Sequence, residues 1–242
     1  MRILITNDDS INAPGLAPLV QWAKTKGEVI VAAPKFEQSG KSHSIEIHKP
    51  FEVKRVDLFE GVEVYAVDSS PADCVRFMVL GLGKTVDLVI SGVNKGLNIG
   101  RDIMYSGTVS AVFEAGNMDI PAMAISTTPE YYMESMTHLE QIWHYIQKHE
   151  LLKKNLMYNV NIPDGGSDVI RITRQGGIYY SDDFKPIGND LYEPCGKDVF
   201  QPTGNSDLDA DAVLIDKVIS VMPLTVDRTE PEVYRQLKQL NG

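Results

Sequence analysis

The sequence contains little cysteine, with only Cys74 and Cys195 among its 242 residues. The two are far apart and match no zinc or redox spacing, so the common cysteine-based metal and redox motifs are excluded. We expect both to be reduced thiols, as in a reducing compartment. The chain also lacks an uncharged apolar run of about 18 residues, the length that a transmembrane helix needs. It opens directly on a predicted strand, without the pattern of a signal peptide. We therefore expect a cytoplasmic protein with no membrane association.

Basic residues are also in short supply, with 23 Lys and Arg against 33 Asp and Glu and a formal net charge of −10. Proteins bind nucleic acid polymers largely by neutralising phosphates with Lys and Arg. The charge balance therefore argues against a nucleic acid polymer as the main partner. A small phosphorylated ligand stays open, because one bound metal ion reverses the local sign of the charge.

Strands with nearly continuous apolar residues alternate with segments of helical periodicity. Arg2–Thr6 and Glu28–Pro34 are predicted to be buried strands, and the segment between them has apolar residues at helical spacing. This strand–helix–strand unit is typical of a parallel sheet. Further core strands are predicted at 86–91, 121–126 and 156–163. The predicted fold class is therefore α/β with a mostly parallel sheet.

Other segments have less regular patterns. Residues 44–56 alternate between apolar and polar and are predicted to form exposed or edge strands, and residues 133–149 the longest helix. Beyond Pro163 we predict an extended hairpin over 176–194, a last strand over 217–224 and a terminal helix over 230–240. We expect a single domain, 1–242, with a core of about 1–165 and a C-terminal extension over 166–242.

Two adjacent carboxylates, Asp8 and Asp9, follow the first predicted strand. Taking like charges out of water is costly unless a cation or a donor compensates them, although a helix cap or a solvated turn also explains Asp residues here. Loops after two other predicted strands contain Ser39 and Asn94, and the carboxyl ends of parallel strands meet at one edge of a sheet. Ligands of oxygen alone select Mg²⁺, Mn²⁺ or Ca²⁺ over zinc or copper. The hypothesis is a hard divalent cation held by these four side chains.

The start of the helix after residue 106 suggests a complementary anion site. Ser106, Gly107 and Thr108 combine free backbone N–H groups, two hydroxyls and the positive end of a helix dipole. An ordinary Ser or Thr N-cap explains the same residues and stays open. A carboxylate pair for a metal and a helix N-terminus for an anion, on one edge, are what metal-assisted phosphoryl transfer requires.

Competing motifs are incomplete. No G-x-G-x-x-G follows the first strand, and Gly40-Lys41-Ser42 imitates a P-loop but has Lys35 where that motif needs glycine. His43 is interpreted as a solvated loop residue, although it lies near the proposed site. Tyr179 and Tyr180 are interpreted as packing residues. The acidic string of Asp207, Asp209 and Asp211 lacks the glycine and the closing glutamate of an EF-hand, so we predict turn and N-cap roles for it.

Longer stretches resemble a known family. These are ITNDDS followed by APG near the N-terminus, the Ser39-Gly40 loop, SPADCV at 70–75, SGVNKGLNIGRDIMYSGTVSAVFEAG at 91–116 and VISVMPL at 218–224. Together they resemble the stationary-phase survival protein SurE family over nearly the whole chain. The resemblance implies a Rossmann-like core, a mostly parallel sheet with helices on both faces, and a C-terminal extension. In the family this extension is exchanged between subunits, so a homodimer or homotetramer is expected, with the hairpin and the terminal helix in that role.

The resemblance also implies an activity and a set of site residues. It implies a metal-dependent 5′-nucleotidase acting on nucleoside monophosphates, in some members also a 3′-nucleotidase and a short-chain exopolyphosphatase. Asp8 and Asp9 match the catalytic, metal-binding aspartates, and Ser39 and Asn94 match the remaining ligands of one Mg²⁺ or Mn²⁺ per subunit. The residues that match the phosphate-binding segments are Gly40, Asn98, Ser106, Gly107 and Thr108. The alternatives are a nucleotide-binding or sensing protein with little turnover, and a structural protein in which these loops are only caps.

Overall fold

The computed structural model describes residues 1–241 of the chain, in a mixed α/β arrangement. Its strands are β1 Arg2–Thr6, β2 Glu28–Pro34, β3 Val53–Arg55, β4 Glu63–Val67, β5 Leu88–Lys95, β6 Ala122–Thr127, β7 Met157–Ile162, β8 Ile170–Ile172, β9 Tyr180–Ser181, β10 Phe184–Gly188, β11 Leu191–Pro194, β12 Lys197–Asp198 and β13 Ile219–Pro223. Its α-helices are α1 Leu16–Lys24, α2 Pro71–Arg76, α3 Gly107–Asn117, α4 Leu139–Lys148, α5 Leu151–Lys154, α6 Asp209–Leu214 and α7 Pro231–Leu237. Shorter helical turns include a π-helix at Phe77–Gly81 and 3₁₀-helices at Gly100–Tyr105, Pro129–Tyr131, Glu134–His138 and Lys238–Asn241.

The central sheet has the order β3-β4-β2-β1-β5-β6-β7-β13-β8 within the described residues. From β4 to β7 every neighbouring pair is parallel. The edge strand β3 is antiparallel to β4, and β13 is antiparallel to β7 but parallel to β8. The predicted α/β class with a mostly parallel sheet is therefore confirmed.

Helices cover both faces of this sheet, which is why the strands are apolar on both sides. In β1, Ile3 and Ile5 pack with α1 and α4 on one face, and Leu4 packs with α2 and α3 on the other. All three side chains are fully buried. The N-terminal strand is thus held by both layers, and its carboxyl end lies in the middle of the sheet.

Some predicted element boundaries were wrong. Of residues 44–56 only Val53–Arg55 forms a strand. The preceding segment bonds to a side chain rather than to a neighbouring strand, since the Glu46 backbone N–H donates to Asp73 Oδ2 at 2.7 Å. The predicted helix over 133–149 begins as the 3₁₀-helix Glu134–His138 and becomes α-helical only at Leu139, so α3 is longer than α4. Strand β5 continues to Lys95 rather than ending at 91.

The C-terminal part does more than append a hairpin. Strand β7 does not close the sheet, because β13 pairs beside it and β8 pairs beside β13. The predicted hairpin is present as β10 and β11, and β9 pairs with β12 next to it. Strands β8 and β13, both beyond residue 165, belong to the same sheet as the core strands. The division into a core of about 1–165 and an extension over 166–242 therefore stays a prediction. Within residues 1–241 no helix has both the length and the apolar character needed to cross a membrane.

The two-sided burial of β1 makes its apolar side chains critical for stability. We expect Leu4→Ala to lower the free energy of unfolding by about 2–5 kcal/mol, because it leaves a cavity between the sheet and its helices. Urea denaturation with linear extrapolation measures this change. The matched control is Leu80→Ala, because that side chain is 64% exposed and should lose less than about 0.5 kcal/mol. Equal losses in the two variants would contradict the described packing of β1.

Candidate metal and phosphate site

Three segments meet at the carboxyl edge of the sheet, after the adjacent strands β2, β1 and β5. Backbone hydrogen bonds join them directly. The Gln38 N–H donates to the Asp8 carbonyl oxygen at 2.8 Å, which ties the loop after β2 to the loop after β1. The Lys95 N–H donates to Asp9 Oδ2 at 3.1 Å, which ties the end of β5 to the same loop. The convergence predicted from the parallel strands is therefore present.

Asp8 lies against the first turn of α3. The Thr108 hydroxyl donates a hydrogen bond to Asp8 Oδ1 at 2.5 Å. Gly107 allows this approach, because a Cβ there would lie 3.0 Å from Asp8 Cβ and 3.1 Å from Asp8 Oδ2. The absence of a side chain at Gly107 therefore makes room for the Asp8 carboxylate, whether or not a ligand also binds there.

The two carboxylates have lost much of the water that stabilises their charge. Burial, with the nearby charge of Asp9, raises the pKa of Asp8 to about 6, although the Thr108 hydrogen bond opposes the rise. Burial and the charge of Glu37 also raise the pKa of Asp9, against the opposing hydrogen bond from the Lys95 N–H. A pair of anions in this state is stabilised by a bound cation.

The neutral oxygens are oriented by local hydrogen bonds. Strand β5 has a register shift against β6 between Gly92 and Asn94, and such a bulge redirects the side chains that follow it. The Asn94 side-chain amide nitrogen donates to the Gly96 carbonyl oxygen at 2.7 Å, so the amide oxygen is the atom free to act as a ligand. The Ser39 hydroxyl donates to Glu37 Oε1 at 2.8 Å and keeps its lone pairs.

A cleft of about 270 Å³ opens over these groups. Six of the nine predicted site residues line it, namely Asp8, Ser39, Gly40, Asn94, Asn98 and Ser106. The other three are close by: Asp9 bonds to the end of β5, and Gly107 and Thr108 contact Asp8. The structure thus brings all nine into one neighbourhood.

Several of the predicted phosphate-binding groups already have protein partners. The Ser106 hydroxyl accepts from the Val109 N–H at 3.0 Å as the N-cap of α3, so the capping interpretation applies to it. The Asn98 side-chain amide donates to the Ser126 hydroxyl at 2.8 Å, and the Asn98 carbonyl accepts from Asn159 and Asn161. A role for these residues and for Thr108 in binding phosphate stays a prediction.

The donor set fits a hard divalent cation. Among residues 1–241 no group of three or more His, Cys, Asp and Glu side chains is placed to hold a metal. The proposed set instead has two carboxylates and the neutral oxygens of Ser39 and Asn94, all of the hard type that Mg²⁺ and Mn²⁺ prefer. Burial raises the pKa of both carboxylates, and a cation bound beside them would offset that loss of solvation.

The structure adds an aromatic end to the cleft that sequence reasoning missed. Tyr105 and Tyr180 line it and are 50% and 45% exposed, respectively. A neighbouring cavity of about 320 Å³ continues over the same two rings. Tyr179 packs against a small apolar cluster, as predicted, and also lines the cleft, whereas Tyr180 is not part of that cluster. No local pattern in the sequence places position 180 beside position 105.

Comparisons with known proteins identify the family of the chain. The family model described as Survival protein SurE matches residues 3–182. The chain belongs to the survival protein SurE family. Proteins called 5′-nucleotidase SurE are 38% identical in Caldanaerobacter subterraneus subsp. tengcongensis and 35% identical in Pseudothermotoga lettingae, covering 97% and 100% of this chain and 95% of each relative. The crystal structure of SurE from Aquifex aeolicus is 30% identical, with a TM-score of 0.80 and complete coverage of both chains.

In this SurE-family chain, the loop that carries Ser39 is fastened to α3. His43 Nε2 lies 2.8 Å from Glu114 Oε2, and its ring stacks on Phe113 with the centroids 6.4 Å apart. The Ser110 hydroxyl donates to the Ser42 carbonyl oxygen at 3.0 Å. His43 is therefore a docking residue rather than a solvated one. Glu114, buried within the helix, also accepts from Arg76 at 3.3 Å.

This contact makes stability depend on pH. Burial raises the pKa of Glu114, but the hydrogen bond to His43 and the charge of Arg76 outweigh it, so the pKa lies below its ordinary value. Such a carboxylate stabilises the fold above its unfolded pKa, and this contribution is lost as the pH falls through the lower folded value. We expect Glu114→Gln to lower the free energy of unfolding by about 1–3 kcal/mol at neutral pH. The difference from the unchanged chain should shrink below a pH of about 4.5.

Urea denaturation at a series of pH values measures this dependence, with Glu140→Gln as the control. Glu140 likewise pairs with a basic residue, Lys26, but the Glu140 side chain is 63% exposed. An ion pair in which the carboxylate is this exposed to solvent contributes little. A Glu114→Gln deficit that stayed constant down to pH 3 would contradict the assignment.

Proposed function

We propose that this chain is a metal-dependent phosphatase that hydrolyses nucleoside monophosphates, a 5′-nucleotidase. The observation that carries the proposal is a pair of desolvated carboxylates at a cleft with an aromatic end. Asp8 lines the cleft beside the first turn of α3, and Asp9 is the next residue in the same loop. The names of the relatives, 5′-nucleotidase SurE, support the same activity. Hydrolysis of 3′-monophosphates and of short polyphosphate is the wider activity that we propose for the same site.

Asp8, Asp9, Ser39 and Asn94 would hold one divalent cation, Mg²⁺ or Mn²⁺, in each subunit. When bound, such a cation polarises a phosphoester oxygen and makes water more acidic. The protein's part is to keep the ligands in place. The Thr108 hydroxyl fixes Asp8, and the Lys95 N–H fixes Asp9.

The phosphate would lie against the start of α3. The N–H groups of Gly107 and Thr108 are in the first turn, where a helix has no acceptor of its own for them. Together with the helix dipole they favour negative charge, and more strongly as charge develops in the transition state. The nucleoside would extend over Tyr105 and Tyr180, whose rings suit base stacking, worth about 1–3 kcal/mol per base.

We also propose assembly through the C-terminal part. The β10–β11 hairpin exposes Phe184, Ile187, Leu191 and Tyr192, each by more than half. Exposed apolar groups of this size, concentrated on one hairpin, are typical of a protein–protein contact. A homodimer or homotetramer that exchanges this segment would cover them. Residence in the reducing cytoplasm stays a prediction, consistent with the two free cysteines.

The proposed activity depends on the carboxylate pair. We expect the unchanged protein to release phosphate from AMP with Mg²⁺ or Mn²⁺ and to stop when EDTA is added. Asp9→Ala should abolish phosphate release, because it removes a charged ligand from the proposed metal site. The control is Asp57→Ala, an exposed carboxylate in the β3–β4 connection, which should keep full activity. Turnover by a folded, metal-loaded Asp9→Ala protein would overturn the assignment.

Metal binding can be measured apart from turnover. At 100 times its Kd, one bound ion should raise the free energy of unfolding by about 2.7 kcal/mol. We expect Mg²⁺ or Mn²⁺ to raise the melting temperature of the unchanged protein and of Asp57→Ala, but not of Asp9→Ala. A metal-dependent shift without phosphate release would favour the sensing alternative. The absence of any shift would favour loops that act only as caps.

A further inference from the structure

The two aromatic walls of the cleft come from segments far apart in sequence. The 3₁₀-helix Gly100–Tyr105 carries Asp102 and Tyr105, and the segment 176–180 carries Tyr180. Neither wall belongs to the nine-stranded sheet. The spacing of the two tyrosines therefore depends on what joins these segments to each other.

One buried carboxylate bonds to both segments. Asp209, the first residue of α6, is fully buried. Its Oδ2 accepts a hydrogen bond from the Gly100 N–H at 2.8 Å, and its Oδ1 accepts from the Gly176 N–H at 2.8 Å. The Ala210 N–H also donates to Oδ1 at 2.8 Å, which fixes the carboxylate on α6. One side chain thus sets the positions of the starts of both walls.

Further hydrogen bonds and a close backbone contact join the same two segments. The Arg101 N–H donates to the Gly177 carbonyl oxygen at 2.9 Å. Gly100 has a φ of +60°, and a Cβ there would lie 2.1 Å from the Gly177 oxygen. Further along, Asp102 Oδ2 accepts from the Tyr180 N–H at 2.7 Å.

Apolar contacts near Asp209 cannot by themselves fix the relative positions of the two segments. Ile99, Ala210 and Val213 form a small cluster with Tyr179 against it. Apolar packing holds the segments together but has no direction. Hydrogen bonds to two backbone N–H groups fix their register.

We propose that Asp209 is a positioning residue that sets the spacing of Tyr105 and Tyr180, and hence the affinity of the site for the nucleoside part of its substrate. It acts through the two backbone segments and not through contact with the substrate. The inference rests on the proposed phosphatase function. It predicts that Asp209 matters for nucleotides and not for phosphoesters too small to reach the tyrosines.

The test is Asp209→Asn, which keeps the shape of the side chain but replaces one acceptor oxygen with a donor facing a backbone N–H. We expect the KM for AMP to rise about tenfold with kcat little changed, the pattern of lost uniform binding. The inhibition constant of adenosine should rise in parallel. The kcat/KM for glycerol phosphate and the inhibition constant of inorganic phosphate should stay within about twofold of those of the unchanged protein.

Asp211→Asn is the matched control. Asp211 is in the same helix, is also buried, and accepts the Thr203 and Gly204 N–H groups at 2.8 and 3.0 Å. Those residues form a turn that does not line the cleft. The variant should lose comparable stability but keep the KM for AMP.

A second pair of variants keeps the test independent of whether Asp209→Asn folds. Gly100→Ala forces a Cβ against the Gly177 carbonyl and should shift the same wall. Gly83→Ala is its control, because Gly83 has nearly the same φ, +61°, but within residues 1–241 no atom beyond its chain neighbours lies within 4 Å of the added Cβ. Gly100→Ala should raise the KM for AMP selectively, and Gly83→Ala should not.

The outcomes separate the two claims. If the unchanged protein hydrolyses neither AMP nor glycerol phosphate, the proposed function fails. If it hydrolyses AMP, but Asp209→Asn and Gly100→Ala leave its KM unchanged or impair both substrates equally, the positioning role fails. A rise in KM for AMP that Asp211→Asn reproduces also overturns it, because the effect would then be general loss of stability.

Discussion

Asp8 and Asp9 repel each other, both have lost water, and much of the surrounding structure compensates for this repulsion. The Thr108 hydroxyl stabilises one carboxylate and the Lys95 N–H the other. Gly107 lacks a side chain because the first carboxylate occupies that space. These contacts come from the start of α3 and the end of β5, so satisfying the two charges also binds the segments to one another. The same hydrogen bonds therefore hold the site together and fix the carboxyl edge of the sheet.

The parts of the molecule that depend on local pattern could be predicted. Strands β1 and β2 are continuous apolar runs, and their burial between two helical layers follows from that composition. The convergence of Asp8, Ser39 and Asn94 followed from parallel strand ends meeting at one edge. The turn role expected for Asp211 fits its contacts, since it accepts the N–H groups of the Thr203–Gly204 turn, but Asp209 is not an N-cap and instead accepts the distant Gly100 and Gly176 N–H groups.

The parts that depend on distant pairing could not be predicted. Nothing near residue 180 indicates that its side chain will line the same cleft as that of residue 105, since the two tyrosines lie in separate segments with no pattern in common. Glu114 stands among apolar helix residues, and its partner His43 is in a separate loop. The antiparallel insertion of β13 between β7 and β8 depends on a choice among apolar segments that periodicity does not distinguish. In each case the contact joins two segments far apart in sequence, and the local sequence around one segment does not indicate its partner.

The place of β13 in the sheet has a consequence for the order in which the chain can fold during its synthesis. Strand β8 pairs only with β13 among the described strands, and β7 uses one of its sides for the same partner. The strands from β1 to β7 can therefore assemble on the ribosome while one side of β7 has no strand paired with it. That edge exposes unpaired backbone groups until residues 219–223 emerge, and such an edge invites pairing with another nascent chain. Until its final strand is made, the growing polypeptide therefore has an open edge at β7 that another chain could pair with.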